Sequence, residues 1–440
     1  MKKTLYVVAM AAVWAVCCTG CQQQPAEKPE WFTNSDYFEE KNGMYAEMPV
    51  HAKNIVMVGD DYIDRGLWNE FFGDTTIKNR GITYDATEHV LYRIGQIAAQ
   101  KPAKIFVSVG RNDVEHGTPD AVIVENIDQI FKRIRKASPE TKCYWLNIVN
   151  PSALAAERRK SIAWVNDAVK ELSVKRGFEV IEIDAALRSG IDDGTYSWNG
   201  GRFLNGAGYE AMAQAVEGQV GKPHLNHADD RDYPLEVSDY YKHRVSVFRS
   251  LPETDGKIIM LGNSLNNNAL WTELFPMGYI VNRGISGDVI EGVRQRIDEI
   301  VGDKPDKIFL ITGTNDLVNE PEMTPLAVYD RYERLIRTIH EQLPETELYV
   351  QSILPLNPKS GSYAGFNDRA AEVNKLLYAA SGRYGYYYLD IAQVLSDENN
   401  DLKAEYTTDG IHLSAYGYFV WAAELARGNR MMLSLKPSDK

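Results

Sequence analysis

The 440-residue chain is short of several things, and each shortage excludes something. Basic residues do not outnumber acidic ones: 48 Lys plus Arg stand against 61 Asp plus Glu, for a net charge of −13. A phosphate backbone wants a basic face, so nucleic acid is not an expected partner. Cysteine is scarce, with four in all, which rules out a disulfide-stapled scaffold. The eight histidines form no ligand cluster, so no metal is expected. His224 and His227 lie close together beside Asp229-Asp230-Arg231-Asp232, but that polar stretch reads as a solvated connector. Long apolar runs are absent too; the first, Leu5 to Val16, is too short to span a bilayer. What remains is globular material with room for two or three domains.

The amino terminus has its own character. Lys2-Lys3, the apolar Leu5 to Val16 and then Cys17-Cys18-Thr19-Gly20-Cys21 read as an export signal over residues 1–20. The small Thr19-Gly20 pair before Cys21 resembles the lipobox of bacterial lipoproteins, with Cys18 where that pattern usually has Leu. The resemblance implies lipidation of Cys21, anchoring to the bacterial cell envelope, and a polar tether over 21–35. Only Cys143 then remains in the folded body, where its apolar surroundings predict a buried packing residue.

The strongest pattern is a long internal repeat. Asp36-Tyr37, Gly59, Leu67-Trp68, Asn79-Arg80-Gly81-Ile82 and Asn112-Asp113 recur, each 203 positions later, as Asp239-Tyr240, Gly262, Leu270-Trp271, Asn282-Arg283-Gly284-Ile285 and Asn315-Asp316. A unit of about two hundred residues is a whole domain, too long for a solenoid repeat. The expected division is one copy over 36–222, a linker over 223–238 and a second copy over 239–440.

In the second copy, Ile258 to Leu261, Tyr279 to Val281, Lys307 to Ile311, Leu348 to Ser352 and Tyr386 to Leu389 are short apolar runs of buried-strand type. Helical stretches lie between them: Asp288 to Val301 carries Val289, Val293, Ile297 and Ile300 on one face, and Thr324-Pro325 supplies a cap and a first-turn proline. Alternating strands and helices imply a parallel sheet covered on both faces, with the functional site beyond the carboxyl ends of the strands.

Four loops fall there. Gly262-Asn263-Ser264 opens a helix directly after a strand, Asn282 to Asp288 contains Gly284 and Gly287, Gly313-Thr314-Asn315-Asp316 offers a side-chain amide, and Asp409-Gly410-Ile411-His412 pairs a carboxylate with an imidazole. Separately these read as a cap, two turns and a chance pair. In this order they are the parts that acyl transfer needs: a hydroxyl nucleophile, oxyanion donors and an oriented base.

With these blocks in place, the second copy resembles the SGNH hydrolases, also called the GDSL esterase family, over nearly its whole length. The resemblance implies two tandem flavodoxin-like three-layer α/β/α domains with parallel sheets. It also implies Ser264 as nucleophile, His412 as base, Asp409 as the partner that orients it, and an oxyanion hole from Ser264, Gly287 and Asn315, with no cofactor. The family usually has Asp immediately before the nucleophile; Asn263 stands there, a change expected to modulate activity and leave the chemistry available.

The same shift places Asp61 at the Ser264 position, Tyr84 at that of Gly287 and Phe203 at that of His412, while Asn112 keeps the place of Asn315. The Asp409 position falls on Gly200 or Asn199, depending on one gap. The first copy is therefore expected to be inactive, as a scaffold or as a sugar-binding module using Tyr84, Tyr196, Trp198 and Phe203. The resulting expectation is a lipid-anchored serine esterase acting on a small ester, most simply an O-acetylated glycan such as a sialic acid or polysaccharide. A lysophospholipase or thioesterase, a non-catalytic glycan-binding protein and an envelope assembly protein are the competing readings.

Overall fold

The computed structural model describes residues 35–226, 237–253, 255–277, 279–361 and 363–432. The export signal, Cys21, His227 and the acidic stretch at 229–232 lie outside the described residues. Among the described residues no helix is long and apolar enough to cross a membrane.

Each copy is built on its own parallel sheet, as the resemblance implied. In the first copy the strands are β1 (Ile55–Gly59), β2 (Ile77–Gly81), β3 (Lys104–Ser108), β4 (Lys142–Leu146) and β5 (Glu179–Ile181). In the second they are β6 (Ile258–Gly262), β7 (Ile280–Gly284), β8 (Lys307–Ile311), β9 (Glu347–Gln351) and β10 (Tyr387–Leu389). The orders β2-β1-β3-β4-β5 and β7-β6-β8-β9-β10 are the same flavodoxin-like order. β6, with every residue buried, pairs with β7 on one side and β8 on the other. The loops after β6 and β8 therefore open at the switch point of the sheet, where such folds place their ligands.

Each sheet has an apolar core on both faces. In the second copy one face packs under Pro325–Gln342 and Phe366–Tyr384, where Tyr332, Leu335, Ile336, Val373 and Leu377 are buried. The Thr324 side chain caps the first of these helices, accepting from Ala327 N at 3.2 Å. The single helix expected over 288–301 is in fact two, Ile290–Gln295 and Asp298–Val301. The break falls at Arg296, whose buried guanidinium is drawn to Asp288, to the Gly262 carbonyl and toward Glu299. Cys143 is buried in β4, its thiol donating to the Thr141 carbonyl at 3.4 Å.

The two copies are exchanged at their ends. The helices concerned are α1 (Ser35–Glu47), α2 (Gly206–Ala215) and α3 (Asp239–Arg249), together with α4 (Ser264–Asn268), α5 (Thr314–Asn319) and α6 (Ala415–Ala426) in the second copy. α1 begins the first copy, yet Met44 and Met48 lie in the core of the second with Trp271, Tyr418 and Trp421. α3 begins the second copy, yet Tyr241, Val245 and Phe248 lie in the core of the first with Trp68, Phe71 and Tyr209. Thus α1 lies on α6 and α3 on α2, each opening helix against the last helix of the other copy. Each also bonds back to its own half: Tyr45 donates to the Gly81 carbonyl at 2.6 Å, and Tyr241 to that of Gly292 at 2.7 Å.

The repeated Asn-Arg-Gly block explains how this seam is held. Asn282 Nδ2 donates to the carbonyls of Asn266, Asn267 and Ala269, fixing the end of α4, and Asn79 does the same at Ile63, Asp64 and Gly66. Gly284 lies so close to α4 that a Cβ there would sit 2.2 Å from Asn267 N. The arginine between them crosses the seam. Arg80 binds Glu273 with Nη1 and Nη2 at 2.7 and 2.9 Å, while Arg283 reaches Glu70 at 2.9 Å. Glu273 is 203 positions after Glu70, so the two ion pairs are related by a pseudo-twofold axis, as in an isologous dimer.

Burial alone would raise the Glu273 carboxyl, but the Arg80 charge and hydrogen bonds outweigh it and hold the pKa below the ordinary value. A depressed carboxylate contributes stability above its unfolded pKa and loses it as pH falls through the folded one. Arg80→Ala leaves the buried Glu273 to the more distant Lys78, 3.8 Å away, and chemical denaturation at neutral pH is expected to show a loss of about 3 kcal/mol. The loss should shrink in acid, and Arg80→Met with Glu273→Leu should recover most of it.

Candidate active site

The carboxyl ends of β6, β7 and β8 and the loop before α6 bring the expected residues together. Ser264 is the first residue of α4, and the Asn263 side chain caps that helix by accepting from Leu265 N at 3.1 Å. Asp60, its counterpart in the first copy, makes the same bond to Tyr62 N at 3.3 Å. Asn263 thus preserves the turn without a charge; the buried Asp60 carboxyl, by contrast, is raised well above its ordinary value by burial and by Asp61.

Ser264 Oγ lies 3.0 Å from His412 Nε2, and His412 Nδ1 lies 2.7 Å from Asp409 Oδ2. A carboxylate can only accept, so Nδ1 carries the proton and Nε2 is left to accept from the serine hydroxyl. The other Asp409 oxygen accepts from the backbone N–H groups of Ile411 and His412 at 2.8 and 2.7 Å, which locks the turn. Burial opposes ionisation of Asp409, but the bonds and charge from His412 win and bring it to about 2. Burial likewise opposes a charged His412; the Asp409 hydrogen bond and the Glu40 and Asp409 charges overcome it and raise the imidazole above its usual value.

The first copy shows what the neighbouring donors can hold. Asp61, at the serine position, is 5% exposed, and its Oδ2 accepts from Tyr84 N and from Asn112 Nδ2, both at 3.1 Å. Arg65 and Arg202 lie 3.4 and 3.3 Å from its other oxygen. The vacated site is therefore filled by the protein's own anion. Asn112 uses its remaining amide hydrogen on the Asp85 carbonyl at 2.9 Å, and Asn315 makes the same bond to Asp288 at 2.8 Å. By this correspondence the second hydrogen of Asn315 and the N–H of Gly287 are the counterparts of the two donors that hold Asp61. Gly287 has φ +82°, and Tyr84 is held at φ +70°, a left-handed conformation that costs a tyrosine far more than a glycine. Gly284 serves packing instead, which separates the roles of the two loop glycines.

The gap left open in sequence is also resolved. Asn199 Oδ1 accepts from Phe203 N at 3.0 Å, as Asp409 accepts from His412 N, so Asn199 rather than Gly200 takes the carboxylate's place in the first copy. His224, one of the two connector histidines, donates its backbone N–H to the Phe71 carbonyl at 2.7 Å. Among the described residues no group of three or more His, Cys, Asp or Glu is placed to hold a metal.

Ser264, Gly287, Asn315 and His412 open into a cavity of about 500 Å³ whose far wall belongs to the first copy. Tyr37, Asp64, Arg65, Tyr84 and Phe203 form that wall. The Arg65 guanidinium lies 4.0 Å from the centre of the Phe203 ring, and Arg202 lies 4.7 Å from that of Tyr84. Tyr196 packs against the first copy's core, and Trp198 sits against His243 with ring centres 4.7 Å apart. Of the four aromatics expected there, two thus face the cavity. Nothing in the sequence singles out Glu40, a buried carboxylate of α1 whose charge acts on His412.

With His412 as the base, turnover would require its neutral form, so kcat/KM is expected to rise with pH along a limb centred above the ordinary imidazole value of about 6.5. Asn315→Ala should lower kcat by about 10²–10³-fold in steady-state assays, whereas Asn112→Ala should leave it unchanged.

The GDSL-like lipase/acylhydrolase family profile matches residues 58–211 and 260–419, one segment in each copy. The alpha2 subunit of platelet-activating factor acetylhydrolase IB from Rattus norvegicus is 27% identical over 141 residues, covering 30% of this chain and 61% of that protein. The human alpha1 subunit is 22% identical over 173 residues, covering 38% of this chain and 72% of its own length. Among solved structures, a GDSL-like lipase from Bacteroides thetaiotaomicron is 17% identical with a TM-score of 0.38, covering 43% of this chain and 96% of its own. The lipase/acylhydrolase from Enterococcus faecalis is 22% identical with a TM-score of 0.35, covering 41% of this chain and 98% of its own. With both copies matched, the chain belongs to the GDSL-like lipase/acylhydrolase family.

Proposed function

We propose that this member of a family of ester hydrolases is a serine O-acetylesterase of the bacterial envelope. Its second copy would do the chemistry, and Cys21 would carry the lipid anchor. The observation that carries the reading is the Ser264–His412–Asp409 chain of hydrogen bonds opening beside Gly287 and Asn315. His412 Nε2 takes the Ser264 proton as Oγ bonds to the ester carbonyl carbon. The oxyanion meets the N–H groups of Ser264 and Gly287 and the Asn315 amide. Imidazolium then gives its proton to the departing alcohol, leaving an acyl-serine. Water, deprotonated by the same nitrogen, releases the acid and restores the hydroxyl.

The acetyl preference draws on the relatives named as acetylhydrolases. The carbohydrate preference draws on the far wall, where Tyr84, Phe203 and Asn69 line the cavity, a mixture suited to the apolar faces and hydroxyls of a sugar. The relatives' names supply a second reading, platelet-activating factor itself, in which the alcohol is a lipid.

The test is hydrolysis of p-nitrophenyl acetate and octanoate by the detergent-solubilised chain and its Ser264→Ala variant, followed by an O-acetylated sugar and platelet-activating factor. Fast acetate release that vanishes in the variant is expected. Tyr84→Ala should cost about tenfold in kcat/KM on the sugar ester, with little change on ethyl acetate. Preference for octanoate or for the lipid would overturn the carbohydrate assignment, and turnover that survives Ser264→Ala would overturn the mechanism.

A further inference from the structure

One carboxylate near Ser264 and His412 has no part in the acyl-transfer steps. Glu40 sits on α1, the helix that opens the inactive copy, and is 2% exposed. Because α1 lies on α6, this side chain is delivered to the active half from the other half of the chain. Its Oε2 accepts from Asn268 Nδ2 at 3.4 Å, and Asn268 lines the cavity with Ser264 and His412. Its Oε1 is buried with no hydrogen-bond partner. A carboxylate so poorly satisfied resists ionisation. Burial pushes Glu40 up to about 7, with the His412 and Lys41 charges and the Asn268 bond pulling the other way.

The pseudo-twofold gives independent geometry for where this side chain lies. Glu40 corresponds to His243 on α3, and His412 corresponds to Phe203. The rings of His243 and Phe203 are 5.5 Å apart, so this position of the crossing helix meets the position of the base. Where the base is present, the helix offers a carboxylate. Where a phenyl ring replaces the base, the helix offers an imidazole that burial lowers to about 4, hence neutral near pH 7. A group able to carry negative charge thus stands beside the base, and a neutral imidazole stands at the same helix position beside the phenyl ring.

We propose that Glu40 is a positioning residue: from the opposite copy, it stabilises the His412 imidazolium formed when Ser264 gives up its proton. This rests on the esterase reading above and adds to it that the inactive copy supplies part of the active site. Glu40 exchanges no proton with substrate. His412 is faced by Asp409 from its own loop, Ser264 from α4 and Glu40 from α1. Glu40 in turn is faced by Lys41, itself 3.3 Å from Asp64, by Asn268 from α4, and by the charges of His412 and Asp409, with the Tyr418 phenol of α6 within reach of its field.

The test uses the full chain, with pH-rate profiles on p-nitrophenyl acetate and NMR titration of the His412 imidazole, its resonance identified by its loss in His412→Gln. Removing a neighbouring anion lowers an imidazole pKa. Glu40→Gln is therefore expected to move both the titration and the ascending limb down by about one pH unit, and to reduce kcat about tenfold with little change in KM. Glu40→Asp, keeping the charge, should fall between the two. An imidazole titration and limb that stay in place would overturn the proposal, whatever happens to the melting temperature. If Glu40→Gln does not fold, Glu40→Asp decides by the same readout, an unmoved imidazole overturning it. Should Ser264→Ala retain turnover, the esterase reading fails, while the NMR titration still answers for Glu40.

Discussion

Two buried arginines, Arg80 and Arg283, each reaching across the seam to a glutamate of the other copy, set the arrangement on which the site depends. A guanidinium out of water must meet a carboxylate in good geometry or the fold loses far more than the contact itself contributes. Doing this twice about a pseudo-twofold leaves little freedom in how the copies face one another. The exchanged helices follow from the same geometry: with the halves in that orientation, α1 and α3 bury their apolar faces against the opposite partner. The cavity beyond Ser264 is then walled on one side by the other copy.

Duplication within one chain lets two equivalent sites diverge without losing this interface. The first copy has given up serine, histidine and aspartate, yet it retains the frame around them. Asn112 persists because its amide also holds the Asp85 carbonyl, a structural duty independent of catalysis. The Asp61 carboxylate then occupies the place where the second copy would hold a reaction oxyanion. A fixed anion held by two N–H donors and flanked by two guanidiniums already occupies this pocket, which argues against it as an independent sugar site. Its outward aromatics, Tyr84 and Phe203, instead serve as a wall for the neighbouring cavity.

Much of this was legible before any coordinates. The repeat stood out because the two halves align for long stretches without a gap, and the strands because parallel sheets buried on both faces need unbroken apolar runs. The expected strand Lys307 to Ile311 matches to the residue, three others match within one position, and β7 runs three residues beyond the expected Val281. The Ser264, Asn315 and Asp409-to-His412 blocks could be found since each loop carries its chemistry in three or four adjacent residues. The helix expected over 288–301 is interrupted at Arg296, a break that the apolar spacing does not register because Val293, Ile297 and Ile300 stay buried across it.

The sequence by itself therefore determined the family, the sheet, the loop residues that meet beyond the second sheet and their replacement in the first copy, all properties written in contiguous segments. Tertiary structure decided the exchange of α1 and α3, the choice of Asn199 over Gly200, the filling of the old site by Asp61, the wall over Ser264 and the placement of Glu40. The exchange, the wall and Glu40 depend on burial and charge that exist only once both halves have met, whereas Asn199 and Asp61 are fixed by bonds within the folded first copy. A glutamate on an amphipathic helix looks like any solvated glutamate until the other copy removes the water around it.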